Sequence, residues 1–273
     1  MEPTMQVLVT RRRSGVFCFM AEEIALRVKE QRFYLTQAKA RLLTPFAAID
    51  AEAEAMEQDC LENPPECFDP EQWDMSMVYE AAFHQSLEHY DLLHEMRERT
   101  LLGIAAGMYH HFEKSFRVRV ARELRQAGWV IGEKTRDQIW RCEWGHLEAL
   151  LVAFGWDVPS VPRYQDLEAL RLVVNVFKHG EGPAFEALKQ RFPSFVPALE
   201  SGENPWRYVD YTSMCVTEEH LDAFSEAIVS FWEAIPLRLA VKDGVASLDI
   251  PAFYAKAMRQ DGCPSFGATP SSP

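Results

Sequence analysis

The chain reads as an all-α helical bundle with an irregular C-terminal segment. Apolar residues recur at three- and four-residue spacing through most of the sequence, and no run sustains the two-residue alternation of a half-buried strand. With 48% hydrophobic and 12% aromatic residues in 273 positions, there is ample material for a buried core.

Residues 21–62 read as two helices, or as one broken at Thr44-Pro45. Ile24, Val28, Phe33, Leu35, Leu42 and Leu43 supply apolar positions, and Pro45 suits the first turn of the second helix. Residues 63–70 hold three prolines and form a loop. Asp74 then caps a long helical region from Met75 to about Ala127, with an interruption near Thr100 to Gly107 as the alternative to a continuous helix. Residues 133–154 form the next helix, with Ile139, Trp140, Trp144, Leu147, Leu151 and Phe154 on a core-facing stripe. A loop with Pro159 and Pro162 leads into a helix over 166–179, and a short helix follows from Pro183 to about Phe192.

After an irregular stretch over 193–208, Thr217-Glu-Glu opens a final helix with Leu221, Phe224, Ile228, Phe231 and Trp232 on its apolar side, ending near Pro236. Val209 to Cys215 is the one segment expected as a short strand. Residues 240–257 are marginal, and 258–273 are expected to form a disordered tail. The expected organisation is a single helical domain over 21–237, with subdivision near 128–132 as the alternative. Residues 1–19 match nothing that follows and are expected as an extension, which makes Met20 a candidate start.

Forty-one acidic against 28 basic residues give a net charge of −13, which argues against a general nucleic-acid coat protein. The six cysteines form no C-x-x-C pair, so they are expected as reduced thiols of a cytoplasmic protein. No segment approaches the roughly 20 consecutive apolar residues that span a bilayer, so no membrane partner is expected. Arg11-Arg12-Arg13 and the apolar run after it are too short for an export signal.

The densest polar cluster lies in Arg171-Leu-Val-Val-Asn-Val-Phe-Lys-His179-Gly180. A 100° step per residue puts Arg171, Asn175 and His179 in one row with Lys178 beside them. Leu167, Leu170, Val173, Val174 and Phe177 are expected to face the core, and Gly180 stands where a left-handed cap belongs. An imidazole in the last turn can do proton chemistry, although Lys and His also favour helix C-termini through the backbone dipole alone.

A second strip, His110, Glu113, Lys114 and Arg117, shares one helix surface and is a candidate substrate-binding face. With Arg119, Arg122 and Arg125, its Lys114 and Arg117 spread enough charge to hold a few phosphates, unless these are ordinary ion pairs of a solvated face. Glu143-x-x-His146 has the spacing used by di-iron carboxylate bundles. Its second copy is missing, so no metal and no cofactor are expected. The sequence has no Gly-rich phosphate loop, dinucleotide fingerprint or Gly-x-Ser-x-Gly elbow.

Asn175-x-x-Lys178-His179-Gly180 at a helix end in an all-helical chain resembles the HEPN superfamily. Its members are dimeric helical bundles, often metal-independent endoribonucleases of toxin and phage-defence systems. The family motif pairs an Arg with a His four to six positions on. Here Asn175 and His179 match, Val174 stands where the Arg is usual, and Arg171 lies one turn back on the same face. The resemblance implies a ribonuclease in which His179 handles protons, Arg171 and Lys178 hold phosphate charge and Asn175 orients the scissile group. It also implies RNA as substrate, an antitoxin or other protein partner and a homodimer. The alternatives are a non-catalytic interaction module and a di-iron carboxylate protein.

Overall fold

The computed structural model describes residues 4–8, 16–18, 20–63, 74–126, 131–196, 209–240 and 247–262. These residues build an all-α protein. The helices are α1 (Ala21–Ala38), α2 (Ile49–Glu62), α3 (Met75–Gln126), α4 (Glu133–Arg141), α5 (Trp144–Ala153), α6 (Tyr164–His179), α7 (Pro183–Arg191), α8 (Glu218–Glu233) and α9 (Ala252–Gln260). Two small antiparallel ribbons accompany them. Strand β1 (Thr4–Leu8) pairs with β4 (Ser247–Pro251), Thr4 opposite Pro251, and β2 (Val16–Cys18) pairs with β3 (Arg238–Ala240), Val16 opposite Ala240. No described helix is long and apolar enough to cross a membrane.

The chain divides into two compact units, one of residues 1–31, 109–168 and 225–273, the other of residues 32–108 and 169–224. In the first, Phe112, Phe116, Trp144, Trp156, Phe231 and Trp232 form a buried aromatic cluster; Phe116 and Phe231 meet edge to face with ring centroids 5.0 Å apart. In the second, Leu101, Ile104, Met108, Phe185, Leu188, Leu221 and Phe224 are buried, and Phe195 stacks on Phe224 at 5.6 Å.

Several caps follow from the sequence. Asp74 accepts hydrogen bonds from the backbone N–H groups of Ser76 and Met77 at the start of α3. At the start of α8 the Thr217 hydroxyl accepts from His220 N–H at 3.3 Å, and His220 Nδ1 accepts from Thr217 N–H at 3.1 Å, so an imidazole closes the reciprocal cap usually made by Glu or Gln. Burial holds the His220 pKa below its ordinary value, which outweighs the opposing pull of Glu219 and keeps Nδ1 free to accept.

Other expectations are decided or corrected. Helix α3 runs unbroken through Thr100 to Gly107 because Leu101, Ile104, Ala105 and Met108 bury one face, which offsets a glycine penalty of about 1 kcal/mol. Gly107 admits the Tyr34 hydroxyl, which an added Cβ would strike. The helix expected over 133–154 breaks at Cys142 and Glu143, both extended, and Trp140 is 43% exposed. Phe33 and Leu42 are exposed, whereas Leu35 and Leu43 are buried. The strand expected at Val209 to Cys215 is instead a single tight helical turn over Tyr211–Ser213, because the Asp210 carboxylate accepts from Thr212 N–H at 2.8 Å. Residues 4–8 and 16–18, expected within an unmatched extension, are strands, and 252–260, marginal or tail by sequence, form α9. Residues 263–273 of the expected tail, and 127–130 at the expected subdivision, lie outside the described residues.

Helix α4 shows how distant residues decide a local structure. Nine residues make a marginal helix by themselves. Its N-terminus is closed by Asp261, which accepts from the N–H groups of Gly132 (3.1 Å), Lys134 (3.1 Å) and Thr135 (2.8 Å) and from the Thr135 hydroxyl (2.7 Å). Burial pushes the Asp261 carboxyl up, but these hydrogen bonds together outweigh it and hold the pKa below the ordinary carboxylate value. Asp261→Ala is expected to cost about 1–2 kcal/mol at neutral pH. Because the folded pKa is the lower one, the contribution is present above the unfolded pKa of about 3.9 and is lost as pH falls through the folded value. Urea unfolding of both proteins at neutral and acid pH checks this; equal midpoints at neutral pH would show the cap to be idle.

Candidate functional site

Helix α6 carries the polar row. Its burial is wider than the sequence pattern predicts: Leu167, Leu170, Val173 and Val174 are buried as expected, and Ala169, Leu172 and Val176 are buried with them. Phe177, expected in the core, is 43% exposed. The correction follows from geometry, since a helix packed on more than one side shifts its solvent window toward its end.

In that window Lys178 and His179 are exposed, while Asn175 and Arg171 are half-buried one and two turns back. Arg171 is engaged with neighbouring groups. Gly180 adopts the left-handed conformation at φ +69°, and its N–H donates to the Val176 carbonyl at 2.8 Å, so the helix stops immediately after the imidazole. The 209–214 segment packs here: an added Cβ at Gly180 would lie 3.6 Å from the Tyr211 ring, and Tyr211 N–H donates to Glu181 Oε1 at 3.3 Å. The left-handed backbone itself disfavours any side chain at this position. Gly180→Ala is expected to cost about 1–2 kcal/mol, read as a shift in the urea midpoint; an unchanged midpoint would reject the strain.

The second strip falls in the other compact unit and is largely occupied. Arg117 is 5% exposed. Its guanidinium donates to the Ile139 carbonyl, to the Cys142 carbonyl at 2.9 Å, to Glu113 Oε1 at 2.7 Å and to Cys142 Sγ at 3.3 Å. Burial disfavours its charge, but the hydrogen bond and proximity of Glu113 more than compensate, so the pKa is raised. Arg117 and Glu113, expected on a substrate face, thus fasten the C-terminal end of α4 and the Cys142 that follows it, where helix carbonyls run out of backbone donors. Lys114 is exposed and His110 half-buried.

In the wider basic segment two further arginines are paired, while Lys114 and Arg125 are exposed. Arg119 is buried against Glu23 and Glu123, the latter at 2.8 Å, and Arg122 also pairs with Glu23. Glu23 is the missing counter-charge, and it sits on α1, about a hundred residues earlier, where no local pattern reveals it.

Glu143 and His146, the pair with di-iron spacing, stand at the start of α5, and the described residues place no group of three or more His, Cys, Asp or Glu to hold a metal ion. Cys60, Cys142 and Cys215 carry free thiols. No family model matches the chain, and no curated protein or solved structure matches it either.

Proposed function

We propose that the C-terminal end of α6 acts on RNA as a metal-independent endoribonuclease site, with Arg171, Asn175, Lys178 and His179 as its residues. The observation that carries this reading is the exposure of His179 and Lys178 at a helix end fixed by Gly180, with Asn175 in the row behind them. In such a site the imidazole assists attack of a ribose 2′-hydroxyl on the adjacent phosphate, forming the new P–O bond as the 5′-oxygen leaves with a proton. Lys178 and Arg171 supply positive charge where the phosphorane develops its negative charge, and Asn175 offers an amide to hold a non-bridging oxygen. Arg117 and Arg119, being buried, supply no phosphate contact in this reading.

The test is cleavage of a mixed cellular RNA pool in EDTA by the purified protein and by His179→Ala. Loss of cleavage in a folded variant supports the assignment, and equal cleavage by both rejects His179 as the catalyst.

A second reading, a non-catalytic interaction module, is favoured by a specific feature of α3. Met75, Tyr79, Phe83 and Leu87 are all exposed at four-residue spacing, so they form one continuous apolar row on the helix surface. Absence of cleavage by the wild type, together with self-association or partner binding lost in Phe83→Glu, would favour that reading over the ribonuclease. A homodimer and an antitoxin-like partner both belong to this test.

A further inference from the structure

Away from α6, within the unit built from residues 1–31, 109–168 and 225–273, a groove of about 620 Å³ opens between the end of α4, the start of α5 and α9. That volume falls in the range of small-molecule sites. Two cations stand on its walls, Arg141 from α4 and Lys256 from α9. The lining also holds two aromatic rings, His146 and Phe253, with ring centroids 4.6 Å apart and planes inclined at 64°. Gln138 adds an amide, and Glu143 is the single carboxylate among the described residues of the lining.

The balance of charge here opposes that of the whole chain. A protein with net charge −13 presents two full positive charges against one negative among the described residues lining this groove. Arg141 is largely available: its pairing with Asp137 is at 3.8 Å, and its side chain is 81% exposed, so the interaction is weak and solvent-screened. An aromatic face beside a cation pair is complementary to a flat ring that carries an anion, because the ring stacks while the guanidinium and ammonium take the charge.

The groove is also held in shape from behind. Cys142, on its lining, is fixed by Arg117 on one side and by the Tyr254 hydroxyl, 2.9 Å from its sulfur, on the other. Tyr254 is buried, and it neighbours Phe253 on α9. The N-terminus of α4 is tied to the end of α9 through Asp261. Both walls are therefore preset before a ligand arrives, which lowers the ordering cost of binding.

We propose that this groove binds a small planar anion, an aromatic or heteroaromatic ring carrying a phosphate or a carboxylate, with Arg141 and Lys256 on the anionic group and Phe253 and His146 on the ring. The assignment does not depend on the ribonuclease reading, whose residues lie in the other unit. Glu143, positioned beside the ring, accepts from a ring N–H or a hydroxyl and disfavours ligands with charge at both ends.

The experiment is calorimetric titration of the full chain with adenosine 5′-monophosphate and with salicylate, each a ring bearing one of the two anions. Adenosine and inorganic phosphate serve as the ring-only and anion-only controls. Saturable binding of at least one ringed anion is expected, about tenfold or more tighter than its controls, and weakened about tenfold or more in Arg141→Glu/Lys256→Glu. Both substituted positions are exposed, and an unchanged melting curve verifies their fold. Phe253→Ala is expected to weaken the ringed probes and leave inorganic phosphate unaffected, whereas His179→Ala leaves all of them unaffected. Preference for the monophosphate over salicylate identifies phosphate as the group recognised, and the reverse identifies carboxylate. Failure of both ringed probes to saturate at millimolar concentration, or binding that the double charge reversal leaves intact, overturns the proposal.

Discussion

Arg117→Ala is expected to destabilise the protein by about 3–5 kcal/mol, the cost of breaking a buried, hydrogen-bonded ion pair from one side. The guanidinium satisfies the carbonyls of Ile139 and Cys142 and pairs with Glu113. Removing it strands a partly buried carboxylate and the Cys142 carbonyl and leaves the Ile139 carbonyl only the weak Cys142 thiol donor at 3.5 Å, an unsatisfied carbonyl costing about 1–3 kcal/mol where water cannot reach. The planar fork serves several acceptors at once, so Arg117→Lys should recover only a minority of the loss. Urea unfolding of the three proteins decides it. A loss below about 1 kcal/mol would show that water replaces the guanidinium and that Arg117 is not the brace of α4. If the loss is large, hydrogen exchange should also report faster opening of 133–143 than of the aromatic cluster.

His179→Ala has the opposite profile: little change in stability and, on the ribonuclease reading, a fall in cleavage rate of about 10²–10⁴-fold, the usual contribution of a general acid or base. The residue is exposed in the last turn of α6, so its truncation should move stability by no more than about 0.5 kcal/mol. Lys178→Ala and Asn175→Ala should each reduce the rate while retaining a measurable remainder, because charge and orientation are shared among several groups. Rates measured in EDTA at fixed ionic strength test this. A His179→Ala protein that cleaves as fast as wild type removes the imidazole from the mechanism whatever the other variants do. The Arg117 and His179 experiments also separate two histories of one sequence signal: both residues lie in dense polar clusters, yet one is a buried fastening and the other meets solvent.

The caps follow the same division. Asp74 and Thr217 were readable because a cap and the N–H groups that donate to it lie within three residues of each other. Asp261 was not, because its targets lie 126 to 129 residues away. The strands were missed for a related reason: three to five residues give too short an alternation, and β1 finds its partner at the opposite end of the chain. Trp140 and Phe177 misled because helical spacing identifies a stripe but not where the neighbouring element ends.

Sequence alone determined the all-α class, the apolar face of α8, the left-handed stop at Gly180 and the alignment of Asn175 and His179, since each depends on the 3.6-residue period or on a contact between near neighbours. Tertiary structure alone decided which charged residues reach solvent. Arg117, Arg119 and Arg122 look alike as a basic helix segment, and their fates differ because Glu23 and the end of α4 arrive from elsewhere in the chain, whereas Glu123 lies one turn from Arg119 on the same helix. A charge is exposed or consumed according to the partners that folding brings to it, and pairing over such distances leaves no periodic trace in the sequence.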